Sequence, residues 1–467
     1  MGNEFLLDEH GCIFHIDNDQ LIPFDPNGSL FASGEKEIIN KLRSDPYSSF
    51  FKTPFYQLAK VVGGRITGRV SLSPGDFYPG SPFDVVHALR SYLFNGELLL
   101  PRMYLYPTAK CNCNCTICQF HERHKDGYEL SRESMLNALS VLKNHRGGLR
   151  TQSLIVSGDG EPMLYPHLSE LLDLAKKDSL RVFLTTNLTM SSHSHKHIYE
   201  MIAKSVDMLT ISIKGLTPSA YGKYQGVANK KLFSQVLKGL ELLVTLREKY
   251  GRKDEMVIGV ASLILPENTY AYIDFIDYLH SIGVDYLYLN QVEPSVERWG
   301  IKFSSEQINE TLCRIKAYSG NAYEDLMVRC ANNPFRQHYV NTLYYDAAFE
   351  RENTDICGSA LFNPLVIAAA EDKMTLTACR NSDNFGNDSF SYDLSEDGNI
   401  SVRSIEAVMT AAKDCHVCRL ERQVKHIDKM ISLERQDVGK GIYGLIFDMC
   451  KLMTGYYRVI RFDDMLK

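Results

Sequence analysis

Between Pro101 and Pro294 short apolar runs and longer amphipathic stretches take turns along the chain. The apolar runs are Met103–Pro107, Ser153–Ser157, Val182–Thr186, Met208–Ile213, Val257–Leu263 and Tyr286–Leu289. Near-continuous apolar runs bounded by turn signals read as strands buried on both faces. Between them, apolar positions recur every three or four residues in Arg132–Lys143, His167–Lys177, His197–Lys204, Lys231–Lys249 and Tyr270–Ile282. That is the spacing of helices with one buried stripe. Strands alternating with helices imply a parallel sheet with right-handed crossovers, open or curled into a barrel. About six units fit the segment, fewer than the eight of a closed barrel. The fold class is therefore α/β, a partial (β/α)6 TIM-like barrel.

The pattern breaks on both flanks. In the first hundred residues a strand-like Cys12–Ile16 lies between turn signals, Asp25-Pro26-Asn27-Gly28 closes the next stretch, and Glu35–Leu42 is helical in pattern. Gly63, Gly64 and Gly68 read as a turn and not as a phosphate loop, because no strand precedes them and no helix follows. After Ser295 a helical stretch around Glu306–Tyr318 gives way to irregular, cysteine-bearing sequence, with one short strand at Leu365–Ala370 and a turn-rich Asn384–Asn399. Three regions result: a mixed N-terminal accessory domain at 1–100, the barrel at 101–295, and a small irregular C-terminal domain at 296–467.

Composition adds little until the cysteines are counted. With 44% hydrophobic and 23% charged residues the chain is of the ordinary globular type. A net charge of -6 gives no sign of a nucleic-acid surface, and no basic stretch interleaved with aromatics supports RNA binding. No apolar run approaches the roughly 18 residues that span a bilayer, and Met1–Glu4 lacks the start of a signal peptide. The expectation is a cytoplasmic protein without a membrane partner. In a reducing compartment 12 cysteines are not a disulfide framework, so their clustering points to metal ligands.

Four cysteines fall in Lys110-Cys111-Asn112-Cys113-Asn114-Cys115-Thr116-Ile117-Cys118, directly after the first barrel strand. A loop there lies at the C-terminal end of the sheet, where β/α enzymes carry their chemistry. Closely spaced thiolates suit an iron–sulfur cubane; zinc sites usually pair two knuckles, and none pairs locally here. Read as Cys111-x3-Cys115-x2-Cys118, the loop resembles the signature of the radical S-adenosylmethionine (SAM) superfamily. The resemblance implies a [4Fe-4S] cluster on Cys111, Cys115 and Cys118, with its open iron chelating SAM, whose cleavage yields a 5′-deoxyadenosyl radical. Cys113 falls outside that register as a non-ligand, and Ile117 stands where relatives usually carry an aromatic residue.

Further residues carry the same resemblance. Ser157-Gly158-Asp159-Gly160-Glu161-Pro162 is similar to the family's Gly-Gly-Glu-Pro element, with Asp159 in place of the first glycine. In that family the element's backbone contacts the amino group of the SAM methionine, which implies SAM contacts at Gly160 and Glu161. Asn187, closing the third strand in Thr186-Asn187, and Ser212 with Lys214 at the fourth strand are implied as further cofactor-binding residues. Alone, each of these is a common turn or strand residue; their order and phase within one β/α series give them weight.

A second set, Cys357, Cys379, Cys415 and Cys418, ends in Cys-His-Val-Cys and resembles the C-terminal domains of the SPASM and twitch subgroups. The resemblance implies a second, auxiliary [4Fe-4S] cluster, with a structural zinc site as the alternative. It further implies hydrogen abstraction from a substrate C–H bond and an external electron donor such as flavodoxin or ferredoxin. The expected substrate is a peptide matured by an oxidoreductase of this type; the alternative is an aminoglycoside-type sugar or cyclitol, and a non-catalytic electron carrier is a third reading. General acid and base residues are not assigned. His121, Arg123 and His124 follow the cysteine loop and Glu293 follows the last strand, but all four read better as solvated loop.

Overall fold

The computed structural model describes residues 95–118, 127–149, 151–229 and 231–291, the strands within 4–23, and shorter pieces at 87–88, at 91–92 and between 311 and 435. The helix expected at Glu35–Leu42, that around Glu306–Tyr318 (but for Thr311), and His121, Arg123, His124 and Glu293 lie outside the described residues. At the N-terminus β1 (Glu4–Leu7), β2 (Ile13–Asp17) and β3 (Gln20–Pro23) form an antiparallel meander, and β2 is the strand expected at Cys12–Ile16.

The main sheet is built from β4 (Arg102–Tyr106), β5 (Ser153–Val156), β6 (Arg181–Thr186), β7 (Met208–Ser212), β8 (Val257–Ile264) and β9 (Tyr286–Gln291). They are neighbours in chain order, and every pair is parallel. The six expected strands are these six, within two residues at either end. The crossovers carry α1 (Arg132–Asn144), α2 (Leu168–Lys177), α3 (Lys196–Ser205), α4 (Pro218–Gln225), α5 (Lys231–Lys249) and α6 (Tyr272–Ile282). Only α4 escapes the periodicity, because its buried Ala220, Tyr221, Tyr224 and Gln225 make no aliphatic stripe.

The sheet extends past the expected six strands. β10 (Met327–Cys330) adds in parallel to β9; β11 (Phe349–Glu350) lies apart; β12 (Leu365–Ala368) adds in parallel to β4, and β13 (Met374–Thr377) adds antiparallel to β12. The short strand at Leu365–Ala370 is thus real, and it continues the barrel sheet. α7 (Val402–Lys413) follows, and β14 (Val417–Cys418) pairs with β11.

One face of the sheet, with Met103, Leu105, Leu154, Val156, Val182, Leu184, Leu209, Ile211, Ile258, Val260, Leu287 and Leu289, is fully buried against the helices. Full burial of each such side chain stabilises by about 1.5–3 kcal/mol. The helices present matching stripes, as in α1 with Met135, Ala138, Leu139 and Leu142. That helix begins where the Ser131 hydroxyl accepts from the Ser134 N–H at 3.1 Å, with Glu133 in its first turn and Lys143 in its last. On the opposite face Thr210, Gly259 and Tyr286 are register partners. The Tyr286 ring fills the space that a side chain at Gly259 would need, and its hydroxyl meets Thr210 Oγ1 at 2.5 Å.

At the N-terminal ends of the strands two ion pairs, one buried and one partly buried, close the floor. Arg247 Nη1 donates to Asp285 Oδ2 at 2.6 Å, and that carboxylate also accepts from the Ile258 N–H. Arg252 Nη2 donates to Asp207 Oδ1 at 2.9 Å, while Asp207 Oδ2 accepts from the Val182 N–H.

Candidate cofactor site

The cysteine loop leaves β4 at the opposite, C-terminal end of the sheet. Its entry is tied by the Ala109 N–H on the Tyr128 carbonyl at 2.6 Å and the Lys110 N–H on Thr108 Oγ1 at 3.0 Å. Its far side rests on α4. The Thr116 N–H donates to the Tyr224 carbonyl at 3.2 Å, and Gly226, the α4 C-cap at φ 64°, lies against the Asn114 carbonyl, where any side chain would collide. Thr217 caps the other end of α4, followed by Pro218 at its first turn. Ile117 packs in a small apolar cluster with Ala220, Tyr224 and Leu265. A short, well-capped helix therefore serves as the platform for the loop.

Cys111, Cys115 and Cys118 are half-buried free thiols, and Cys113 is buried. The Cys113 side chain lies close to those of Cys111 and Cys115. That proximity holds Cys111 and Cys115 below the usual thiol value, against the opposing pull of burial, and it pushes Cys113 up. The positive charge of Lys214 adds to the lowering at Cys115. Cys118 closes the loop with its N–H on the Cys115 carbonyl at 3.1 Å.

The Gly-Asp-Gly-Glu-Pro turn after β5 docks directly on this loop. The Gly160 N–H donates to the Thr108 carbonyl at 3.0 Å and the Glu161 N–H to the Lys110 carbonyl at 2.8 Å. A Cβ at Gly160 would run into both carbonyls, so glycine is required by close approach. The Glu161 side chain turns inward. Its carboxylate accepts from Thr186 Oγ1 at 2.5 Å, the Asn187 N–H at 2.6 Å and the Met163 N–H at 2.9 Å. Burial pushes its pKa up, and these three donors pull the other way.

Asn187 passes that order on to the cysteine loop. Its Nδ2 donates to Asn112 Oδ1 at 3.0 Å and to Cys113 Sγ at 3.4 Å, and stands 4.0 Å from Cys111 Sγ. The next residue, Leu188, is buried in the left-handed region at φ 54°, a local strain that fixes the turn presenting Asn187. Thr189 Oγ1 adds a bond to Asn112 Oδ1 at 3.0 Å.

Of the residues expected from sequence, Cys111, Cys115, Gly160, Glu161, Asn187 and Lys214 come together around this loop. Ser212 ends β7, half-buried, two residues before Lys214. Cys357, Cys379 and Cys415 lie outside the described residues, and Cys418 is described as the last residue of β14. Sequence reasoning missed Asn112, Tyr221, Gln225 and Gly226. Tyr221 and Gln225 are buried beneath the loop, and Gln225 Nε2 reaches Cys113 Sγ at 3.9 Å. Proximity to Cys113, Cys115 and Glu161 places Tyr221 there; burial above all raises its phenol pKa. Only the glycine helix stop at Gly226 had a sequence signal.

Thiols on a half-buried loop, with amide donors and one lysine around them, are a donor set that fits an iron–sulfur cluster. Among the described residues no three His, Cys, Asp or Glu side chains close on one point as a single ion requires. A cubane does not ask for that, since each thiolate takes its own iron.

Residues 105–279 match the radical SAM superfamily, a span that runs from β4 into α6. No curated protein matches the chain in sequence. Among solved structures, Streptococcus suis SuiB bound to its precursor peptide SuiA is similar in fold, with a TM-score of 0.50 and 13% identity over 91% of this chain and 95% of that one. SuiB bound to S-adenosylmethionine aligns with a TM-score of 0.47 and 14% identity over 84% of each chain. Native anSMEcpe with bound AdoMet and Cp18Cys peptide aligns with a TM-score of 0.45 and 14% identity over 75% of this chain and 95% of that one.

Proposed function

Because residues 105–279 match the radical SAM superfamily, we propose that the chain is an enzyme that abstracts hydrogen from a C–H bond of a peptide substrate. The superfamily's cofactors, a [4Fe-4S] cluster and SAM, supply a 5′-deoxyadenosyl radical when bound. In this reading Cys111, Cys115 and Cys118 hold the cluster. The single observation that carries it is the connected path Glu161–Asn187–Asn112, which locks the glycine turn after β5 and the end of β6 to the cysteine loop.

Each residue then has a definite task. Glu161 acts as a positioning residue: its side-chain oxygens are taken by Thr186, Asn187 and Met163, so it orients the wall and leaves ligand contact to backbone around Gly160. Lys214, half-buried near Cys115, offers a positive charge for a carboxylate at the mouth, with Ser212 beside it as a polar contact. The loop's apolar flank at Ile117, Ala220, Tyr224 and Leu265 keeps water from that side.

The second cysteine set, Cys357, Cys379, Cys415 and Cys418, would hold an auxiliary [4Fe-4S] cluster, which would supply an electron acceptor. A flavodoxin- or ferredoxin-type donor supplies the reducing electron, in a cytoplasmic setting. No helix among the described residues is long and apolar enough to cross a membrane. The peptide substrate rests on SuiB, which shares this fold and is seen with a precursor peptide; the first hundred residues are assigned to recognising it.

The test is anaerobic reconstitution followed by iron counting and incubation with SAM and a strong reductant. The expected result is about eight irons per chain, two cubanes, with release of 5′-deoxyadenosine that Cys115→Ala abolishes. About four irons with nucleoside release would remove the auxiliary cluster from the proposal. A fully loaded protein that releases no nucleoside, with or without peptide, would refute the radical enzyme.

A further inference from the structure

The face of the sheet turned away from the helices changes character along the strands. Toward their N-terminal ends it is packed shut: Ile155 on β5, Phe183 on β6 and Val257 on β8 are buried. One row further up, Thr185, Thr210, Gly259 and Tyr286 are register partners across β6 to β9. In the row above that, Ser212, Ala261 and Tyr288 are partners and all three are half-buried. The cysteine loop stands at this upper end, where Asn187 follows β6 and holds its Nδ2 4.0 Å from Cys111 Sγ.

One side chain makes the boundary. Tyr286 is 4% exposed, and its ring lies over Gly259 in the space that a side chain there would occupy. Its hydroxyl reaches past β8 to Thr210 Oγ1 on β7, at 2.5 Å. The ring therefore lies across the strands, anchored at both ends. Glycine inside a strand weakens it and marks a close approach by another group; here that group is the Tyr286 ring. A buried tyrosine needs a partner for its hydroxyl, and the register places Thr210 to be one. Successive rows on one face of a sheet are about 6.6 Å apart. Only about one short side chain fits between the ring and the row of Ser212, Ala261 and Tyr288. That wall also carries no charge, with threonines beside the ring and Ser212, Ala261 and Tyr288 above it. Lys214 lies past the end of β7, toward Cys115. An ion entering below it would lose its water and meet no counter-charge.

We propose that Tyr286, laid over Gly259 and held by Thr210, is the floor of the substrate pocket and a specificity-determining residue that admits only a short, uncharged side chain. The inference rests on the peptide reading above and deepens it. A peptide would lie across the mouth and lower one small side chain toward the cysteine loop. Gly259 and Tyr286 act as a matched pair: the glycine lets the ring lie flat, and the flat ring sets the depth.

The experiment uses the anaerobically reconstituted full chain with SAM, a strong reductant and synthetic Gly-X-Gly peptides. X is alanine, serine, phenylalanine or lysine with deuterium on its side-chain carbons. Deuterium abstracted from X ends on 5′-deoxyadenosine, where mass spectrometry reads it. Wild type should take it from alanine and serine and not from phenylalanine or lysine. Tyr286→Ala should raise the phenylalanine-to-alanine ratio by about tenfold or more, the discrimination that a change in pocket size gives, and leave lysine excluded. Phenol gives a readout that needs no turnover. It should fill the vacated space and raise the melting temperature of Tyr286→Ala but not of wild type, and it should return the ratio toward wild type. The proposal is overturned by a wild type that uses phenylalanine or lysine as readily as alanine. An unchanged ratio in Tyr286→Ala overturns it too, as does a variant that phenol does not stabilise. If Tyr286→Ala does not fold, an unchanged ratio in Tyr286→Leu overturns it. The levels of failure are distinguishable: nucleoside without deuterium from any peptide removes the peptide reading and this inference with it, and no nucleoside at all removes the radical enzyme.

Discussion

The two ends of the barrel handle buried charge in opposite ways. At the floor each carboxylate faces a buried arginine: buried Asp285 meets Arg247, and half-buried Asp207 meets Arg252. Each also accepts a strand N–H, from Ile258 and Val182, so the ion pairs are stitched into the sheet. At the mouth Glu161 is just as deeply buried, but its partners are neutral: a hydroxyl and two backbone N–H groups. The floor neutralises its charges within the fold. The mouth leaves Glu161 without a charged partner near the thiols of the loop, where the half-buried Lys214 faces Cys115. The difference teaches which end is kept for stability and which for a ligand, in line with β/α barrels generally.

The largest effect is expected where the floor is broken. Asp285→Ala strands the Arg247 guanidinium, whose side chain is 2% exposed, and removes the acceptor of the Ile258 N–H. Breaking a buried pair by deleting one partner typically destabilises by about 3–5 kcal/mol. Denaturant unfolding should show that loss, while the protein that remains folded binds as much iron as wild type. Loss of iron from folded Asp285→Ala would mean that floor and mouth are not separable.

A smaller stability effect with a larger functional one is expected at Gly160→Ala. The new methyl would meet the carbonyls of Thr108 and Lys110, which the glycine turn bonds through its own N–H groups. Overpacking of this kind costs about 1–3 kcal/mol. Because the displaced backbone leads into Cys111, affinity for the cluster should fall by about 10–100-fold, the range seen when the support of metal ligands is removed. Iron retention under a competing chelator measures it, and retention equal to wild type would sink the claim that this turn positions the loop.

These two sites were not equally legible in the sequence. The strands and five of the helices follow from apolar periodicity, because each is buried in the way its spacing requires. α4 did not, since its buried face is made of Ala220, two tyrosines and Gln225, and polar burial carries no periodic signal. The same holds for the path through Asn187 to Asn112, which joins residues 75 positions apart. Glu161 was readable as a motif member whose backbone the resemblance implied as a contact, but the inward turn of its carboxylate onto Thr186, Asn187 and Met163 carried no sequence signal. The floor pairs were invisible, because Arg247 and Asp285 are ordinary helix and loop residues until the crossover brings them together. The strand at Leu365 was visible, whereas its pairing with β4, more than 250 residues earlier, was not.

The most discriminating test of the comparison is Glu161→Gln followed over pH. Burial raises the Glu161 pKa above the ordinary carboxylate value of 4.5. A folded-state value above the unfolded one means that the native chain binds the proton more tightly, so stability falls as pH rises through that window. Wild type should therefore lose stability relative to Glu161→Gln as pH is raised from about 4.5 upward, a difference that thermal unfolding of both proteins reads directly. Glutamine, however, presents an N–H₂ where Asn187 presents an N–H, and two donors cannot share that contact. The variant should lose its hold on Asn187, and through it on Asn112 and Cys113, so SAM should perturb the cluster's resonance less even where the fold has become the more stable of the two. A stability difference that stays flat with pH would show that Glu161 is compensated after all, and would place the mouth with the floor.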